Sequence, residues 1–199
     1  MNNNNTSIAV RKITYIAMFT ALVLVLQLAG SFIKFGQFSV SLVLVPIVVG
    51  AAVCGVSAGA WLGFFFGIVV LLSGDANSFL VFAPFGTVVT VLLKGSLAGF
   101  ASGLVYKALE GKNKTFAVFA SAVVCPIVNT GVFLLGCLVF FMDLISEWAA
   151  ALGFASAGSY MILGLAGGNF IFEFVVNLLL APAIVTLIKI APRLTGRKK

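Results

Sequence analysis

Apolar positions in this chain fall in long unbroken runs, not in the alternation of a half-buried strand or the one-faced stripe of a soluble helix. A helix crossing a membrane needs about 20 predominantly apolar residues. Six runs approach that length, near 13–33, 39–56, 58–73, 83–107, 115–141 and 160–190. The pattern predicts an all-α integral membrane protein, six transmembrane helices in one compact bundle, with 1–199 as a single membrane domain and 1–11 as a cytoplasmic tail. Runs two and three merge around Gly55 to Gly59, which leaves a five-span reading open.

Charge decides between the two counts. Arg11, Lys12, Lys107, Lys112, Lys114, Lys189, Arg193, Arg197, Lys198 and Lys199 all fall on one side if six helices cross, and the positive side is the cytoplasmic one. Both termini are then cytoplasmic. The opposite side holds Lys34, Asp75, Asp143 and Glu147, on three longer connections: "KFGQFS", "SGDANSFLVFAP" and "MDLISEWAAALGFASAGS". The last of these reads as a short amphipathic helix at the interface. Long connections on a rigid scaffold commonly carry function, so capture of a ligand is expected on the outer side.

Composition agrees with the runs and removes several function classes. Hydrophobic residues make up 62% of the 199 and charged residues 9%, against roughly 25% charged in a soluble domain. Mean hydropathy is +1.22. The net charge of +7 sits beside apolar runs, where topology explains it, so nucleic acid is not an expected partner. The first run lacks a small-x-small cleavage site and reads as a retained helix. With no His and three Cys embedded in apolar runs, there is no Ser-His catalysis, no histidine-ligated zinc and no Cys-x-x-Cys pair. A phosphate-binding G-x-x-x-x-G-K-[ST] loop is also missing, so uphill transport needs energy from another chain. The chain reads as a non-enzyme without a cofactor.

Polar groups inside apolar runs are costly and normally face a bundle interior or a cavity. Lys94 in the fourth run and Glu173 in the sixth are the two charged residues away from the run ends. Asn169, Glu173 and Asn177 are spaced by four and share one helix face, which must look inward. Asn129 and Thr130 follow Pro126 in the fifth run. Lys94, Asn129, Asn169, Glu173 and Asn177 are therefore the candidate substrate-binding residues, with mutual pairing of Lys94 and Glu173 as the alternative role for those two. Pro46, Pro126 and Pro182 each interrupt an apolar run and free backbone groups that protein or water must satisfy.

Small residues recur every four positions at Gly55, Gly59, Gly63 and Gly67, and again at Gly95, Gly99 and Gly103. Such ladders let helix backbones approach closely. Ala17 and Ala21 in "AMFTA" place a similar smooth patch on the first helix near the cytoplasmic face. The halves of the chain share no repeat, which weighs against a carrier built by duplication.

Six helices, cytoplasmic termini and the Ala-x-x-x-Ala face resemble the substrate-binding S component of an energy-coupling factor (ECF) vitamin transporter. "QFSVSLVLVPIVVGAAVCGVSAGAWLGFFFGIV", "LLKGSLAGFASGLVYKAL" and "GGNFIFEFVVNLLLAPAIV" look like that family's second and third, fourth and last helices. The resemblance implies a prokaryotic plasma-membrane protein that binds a vitamin near the outer face, under its three outer connections. It also implies that Ala17 and Ala21 dock on a separate transmembrane coupling subunit, energised by two ATPase subunits. The resemblance points to the pantothenate, riboflavin and folate subgroup, with pantothenate the leading ligand and Lys94 its counter-ion. The alternative is a self-sufficient secondary carrier or channel, proton-coupled through Glu173.

Overall fold

A computed structural model of the chain describes the backbone of residues 3–32, 34–35, 38–39 and 42–195, with side chains described for 9–32 and 42–188. The apolar runs fold as helices: α1 Asn3–Gly30, α2 Leu44–Cys54, α3 Val56–Ser73, α4 Asn77–Phe82, α5 Pro84–Leu109, α6 Lys114–Phe140, α7 Met142–Ala151, α8 Ala157–Ser159 and α9 Gly168–Thr195. A short antiparallel hairpin of β1 Lys34–Phe35 and β2 Phe38–Ser39 lies between α1 and α2, with Lys34 opposite Ser39. Tyr160–Gly167 winds as a π-helix between α8 and α9.

Among the described residues, five segments are long and apolar enough to cross a membrane: Ala9–Gly30, Val56–Ser73, Pro84–Leu109, Lys114–Phe140 and Ala157–Ile188. The second expected span, 39–56, differs. Its helix α2 has eleven residues, about 16 Å of rise against the ~30 Å of a hydrocarbon core. Local chemistry explains the shortening. Backbone up to Ser39 is taken by the hairpin. Pro46 falls in the first turn of α2, where a missing N–H costs no helical bond, so it marks a helix start and does not interrupt one. Gly55, at φ 99° and ψ 173°, then ends the helix in a conformation closed to residues with a Cβ. At the other end of the chain, α1 begins at Asn3 and not near residue 13, because no Gly or Pro interrupts the polar stretch before it.

Neighbouring helices lock together through the small-residue ladders. A Cβ built at Gly59 or Gly99 would strike the other's carbonyl oxygen, and Gly67 lies against Val91 and Leu92. Eight of the eleven residues of α2 are buried, placing it among α1, α3, α5, α6 and α9 as the core of the bundle. Ile47 packs beside Gly99, and Ala51 between Gly59 and Gly103. Asn113 caps α6 by accepting the Phe116 N–H at 3.1 Å.

Chain direction can be followed through contacts. Trp61 donates to Thr20, and Ser31 to Asp75, so α1 and α3 run in parallel. Gly59 meets Gly99 while Gly63 meets Gly95, and Thr90 meets Gly136 while Gly86 meets Phe140, so α5 is antiparallel to both α3 and α6. The hairpin, α4, α7 and α8 gather at one end of the bundle. Arg11, Lys12, Lys107, Lys112 and Lys114 gather at the other. Arg197, Lys198 and Lys199 lie outside the described residues.

Candidate functional site: a polar cavity at the loop-rich end

A cavity opens at the end that carries the hairpin, α4 and α7. Its polar lining comes from Gln27 on α1, Asp75 after α3, Lys94 on α5, and Asn169 and Glu173 on α9. Apolar walls come from Phe66 and Val70 of α3, Phe79 of α4, Val91 of α5 and Phe133 of α6. No residue of α2 contributes.

Glu173 is 1% exposed and is held by three asparagines. Asn169 donates to Oε1 at 3.1 Å and Asn129 to Oε2 at 3.4 Å. Asn177, one turn further along α9, donates to the Glu173 backbone carbonyl at 2.8 Å. A carboxylate inside an apolar bundle needs such donors. Helix periodicity supplies one donor to the carboxylate from α9 itself, Asn169, and α6 supplies the other, Asn129.

Lys94 is half-buried, and its ammonium stands over two rings: Phe66 at 5.6 Å and Phe133 at 5.5 Å from the centroids. Ring faces attract cations electrostatically, more so where water is scarce. Among the described residues, no ion pair joins Lys94 to Glu173, although both line the same cavity.

Asp75 ties the mouth together. Its Oδ2 accepts from Gln27 Nε2 at 2.7 Å, Ser31 Oγ at 2.7 Å and Ser73 Oγ at 3.0 Å, linking the ends of α1 and α3. Gly74, with φ 85°, ends α3 in the left-handed conformation and turns the chain so that Asp75 faces α1. Phe79 anchors an aromatic cluster beside the cavity. Its ring centroid lies 4.9 Å from Phe141, 5.4 Å from Trp148 on α7 and 6.0 Å from Phe133. The amphipathic helix expected in the fifth-to-sixth connection is α7, which buries Leu144, Ile145 and Ala149.

Of the residues expected from the sequence, Lys94, Asn169 and Glu173 line the cavity directly. Asn129 and Asn177 stand behind them and act on Glu173. Ala17 and Ala21 are elsewhere, exposed on the outer face of α1. Gln27, Asp75 and the three phenylalanine rings were not anticipated. A lone glutamine in an otherwise uncharged run was the available signal for Gln27; nothing distinguished Phe66, Phe79 and Phe133 among 20 phenylalanines. Among the described residues, no cluster of three Cys, Asp or Glu stands ready to hold a metal ion.

Comparison with known proteins adds to this geometry. A family model described as "ECF transporter, substrate-specific component" matches residues 11–185. The fold is similar to the solved structure of ThiT from Listeria monocytogenes, at a TM-score of 0.66 and 22% identity, covering 92% of this chain and 96% of that one. No curated protein matches the sequence.

Proposed function

Because the chain belongs to the ECF transporter substrate-specific component family, we propose that it is the high-affinity vitamin-binding membrane subunit of an ATP-driven importer in a prokaryotic plasma membrane. It is a multi-pass transport subunit, not an enzyme. The observation that carries the reading is the polar cavity at the loop-rich end, opposite the end where Arg11, Lys12, Lys107, Lys112 and Lys114 gather. With the positive end cytoplasmic, that cavity faces outward. Lys94, Asn169 and Glu173 contact the ligand from its walls. Asn129 and Asn177 keep Glu173 in place.

The exposed Ala17 and Ala21 face of α1 docks on a separate transmembrane coupling subunit, with two ATPases beneath it. Of the five spans, α1 has the smallest buried share, 22% against 28–44% for the others, which supports leaving this helix for a partner. Pantothenate is the sequence-based expectation for the ligand, with Lys94 meeting its carboxylate. The cavity supports that pairing less well, since Lys94 stands over ring faces and shares the space with Asp75 and Glu173.

The test is mass spectrometry of the small molecule that copurifies with the chain, together with uptake measured with and without a coexpressed ATPase module. Retention of a vitamin, and uptake only with the module, is the expected result. Uptake without any module would favour the self-sufficient carrier, in which the buried Glu173 carries the proton.

A further inference from the structure

The hydrogen-bond inventory of the cavity is lopsided. Three donors converge on Asp75 Oδ2, while Oδ1 receives none among the described residues. Gln27 is 1% exposed, and its amide nitrogen is committed to that carboxylate. Turning the amide over would set oxygen against oxygen, so the orientation is fixed by its partner. Gln27 Oε1 is therefore held as an acceptor, and it is buried without a donor. Asn169 repeats the arrangement: its nitrogen serves Glu173 Oε1, and its own oxygen is buried and unpaired. The oxygens of Asn129 and Asn177 are also unpaired among the described residues, but only Gln27 and Asn169 belong to the cavity lining.

From this we infer that the cavity takes a flat heteroaromatic ligand bearing N–H donors or a positive charge, and discriminates against a ligand recognised through a carboxylate. The inference rests on the cavity being the ligand site. Stranded acceptors are costly until something donates to them, and an ionised carboxylate group brings no donor of its own. It also brings a third negative charge beside Asp75 and Glu173, against the single ammonium of Lys94, whose positive charge already faces two rings. Phe66, Phe79 and Phe133 supply flat apolar surface for a ring, with Phe79 and Phe133 meeting edge to face at 89°. A positive charge or an amino donor on such a ligand would be met by the carboxylates of Asp75 and Glu173 on the cavity lining.

The experiment is calorimetric titration of the detergent-solubilised full chain with two sets of probes: thiamin and pyridoxamine, against pantothenate and biotin. The cationic heteroaromatic set is expected to bind at least about tenfold tighter than the carboxylate set, the equivalent of one such contact. Asp75→Asn is expected to erode that preference while the chain keeps its thermal unfolding profile. If Asp75→Asn fails to fold, the ranking of probes on the unmodified chain decides alone. Tighter binding of pantothenate or biotin overturns the inference and leaves the vitamin-binding reading standing. Binding of no probe from either set, with no copurifying vitamin, overturns both.

Discussion

Gly63 and Gly95 meet backbone to backbone. A Cβ built on either one would fall onto the carbonyl oxygen of the other. The α3–α5 interface therefore has no room for a side chain at its centre. Gly63→Ala and Gly95→Ala should each destabilise the bundle by about 1–3 kcal/mol, the usual cost of overpacking a closed interface. Gly131→Ala supplies the control, since nothing lies within 4 Å of its Cβ position. It should be neutral or stabilising by up to about 1 kcal/mol from helix propensity. Thermal unfolding in detergent reads the difference, and equal midpoints for all three variants would contradict the close-packed interface.

Ala17 and Ala21 are exposed, while Phe19 and Val23 on the opposite side of α1 are buried in the core. A bulky residue on the exposed face changes the contact surface and leaves the packing alone. Ala17→Trp combined with Ala21→Trp should abolish uptake and copurification of the coupling subunit, with ligand affinity preserved. Normal assembly by this double variant would remove the docking role from α1.

Glu173 serves as acceptor for donors on two helices, so its replacement has separable effects. Glu173→Leu strands the amide nitrogens of Asn129 and Asn169, and each buried donor left unpaired costs about 1–3 kcal/mol. Glu173→Gln keeps an oxygen acceptor and the side-chain shape. The leucine variant should unfold well below the glutamine variant, and both should bind ligand more weakly than the unmodified chain. Unchanged affinity in the glutamine variant would confine Glu173 to a structural role.

The two tryptophans sit in different surroundings. Trp148 packs against Phe79, which lines the cavity. Trp61 is 47% exposed and donates to Thr20 at 3.3 Å on the outside of the bundle. A fluorescence change on ligand addition should persist in Trp61→Phe and vanish in Trp148→Phe. The reverse would place the ligand away from the aromatic cluster.

Much of the architecture was legible because a membrane leaves the backbone few options. Uninterrupted apolar runs became helices, the four-residue Gly spacing became the α3–α5 contact, and the spacing of Asn169, Glu173 and Asn177 became one inward face. Misreadings arose where hydropathy is silent about conformation. Residues 39–56 are apolar enough to span, yet a hairpin and Gly55 leave only α2. The cavity was half legible. Ionisable residues inside a run announce themselves by their cost, which found Lys94 and Glu173. Asp75 looked like an ordinary loop acid, since its role depends on α1 returning Gln27 and Ser31 to it across 48 and 44 positions of sequence. No local pattern encodes that meeting. The π-helical turn at Tyr160–Gly167 likewise had no signature among its small and apolar residues.

The half-length α2 divides the molecule along the membrane normal into two mechanical regimes. Where α2 is present, its buried residues and the glycine ladders leave the helices nothing to slide against. Beyond its start, between the level of Ile47 and the hairpin, the same outer helices enclose a chamber. Amide exchange should follow that division, slow at Ile47–Ala51 and Gly95–Gly103 and faster around Asn169 and Asp75. Ala17 and Ala21 flank Phe19, whose ring packs where α2 places Gly50, on the stiff side. On the proposed reading, the chain would offer a firm surface to one neighbour and a yielding one to its cargo, with a helix that stops early separating them.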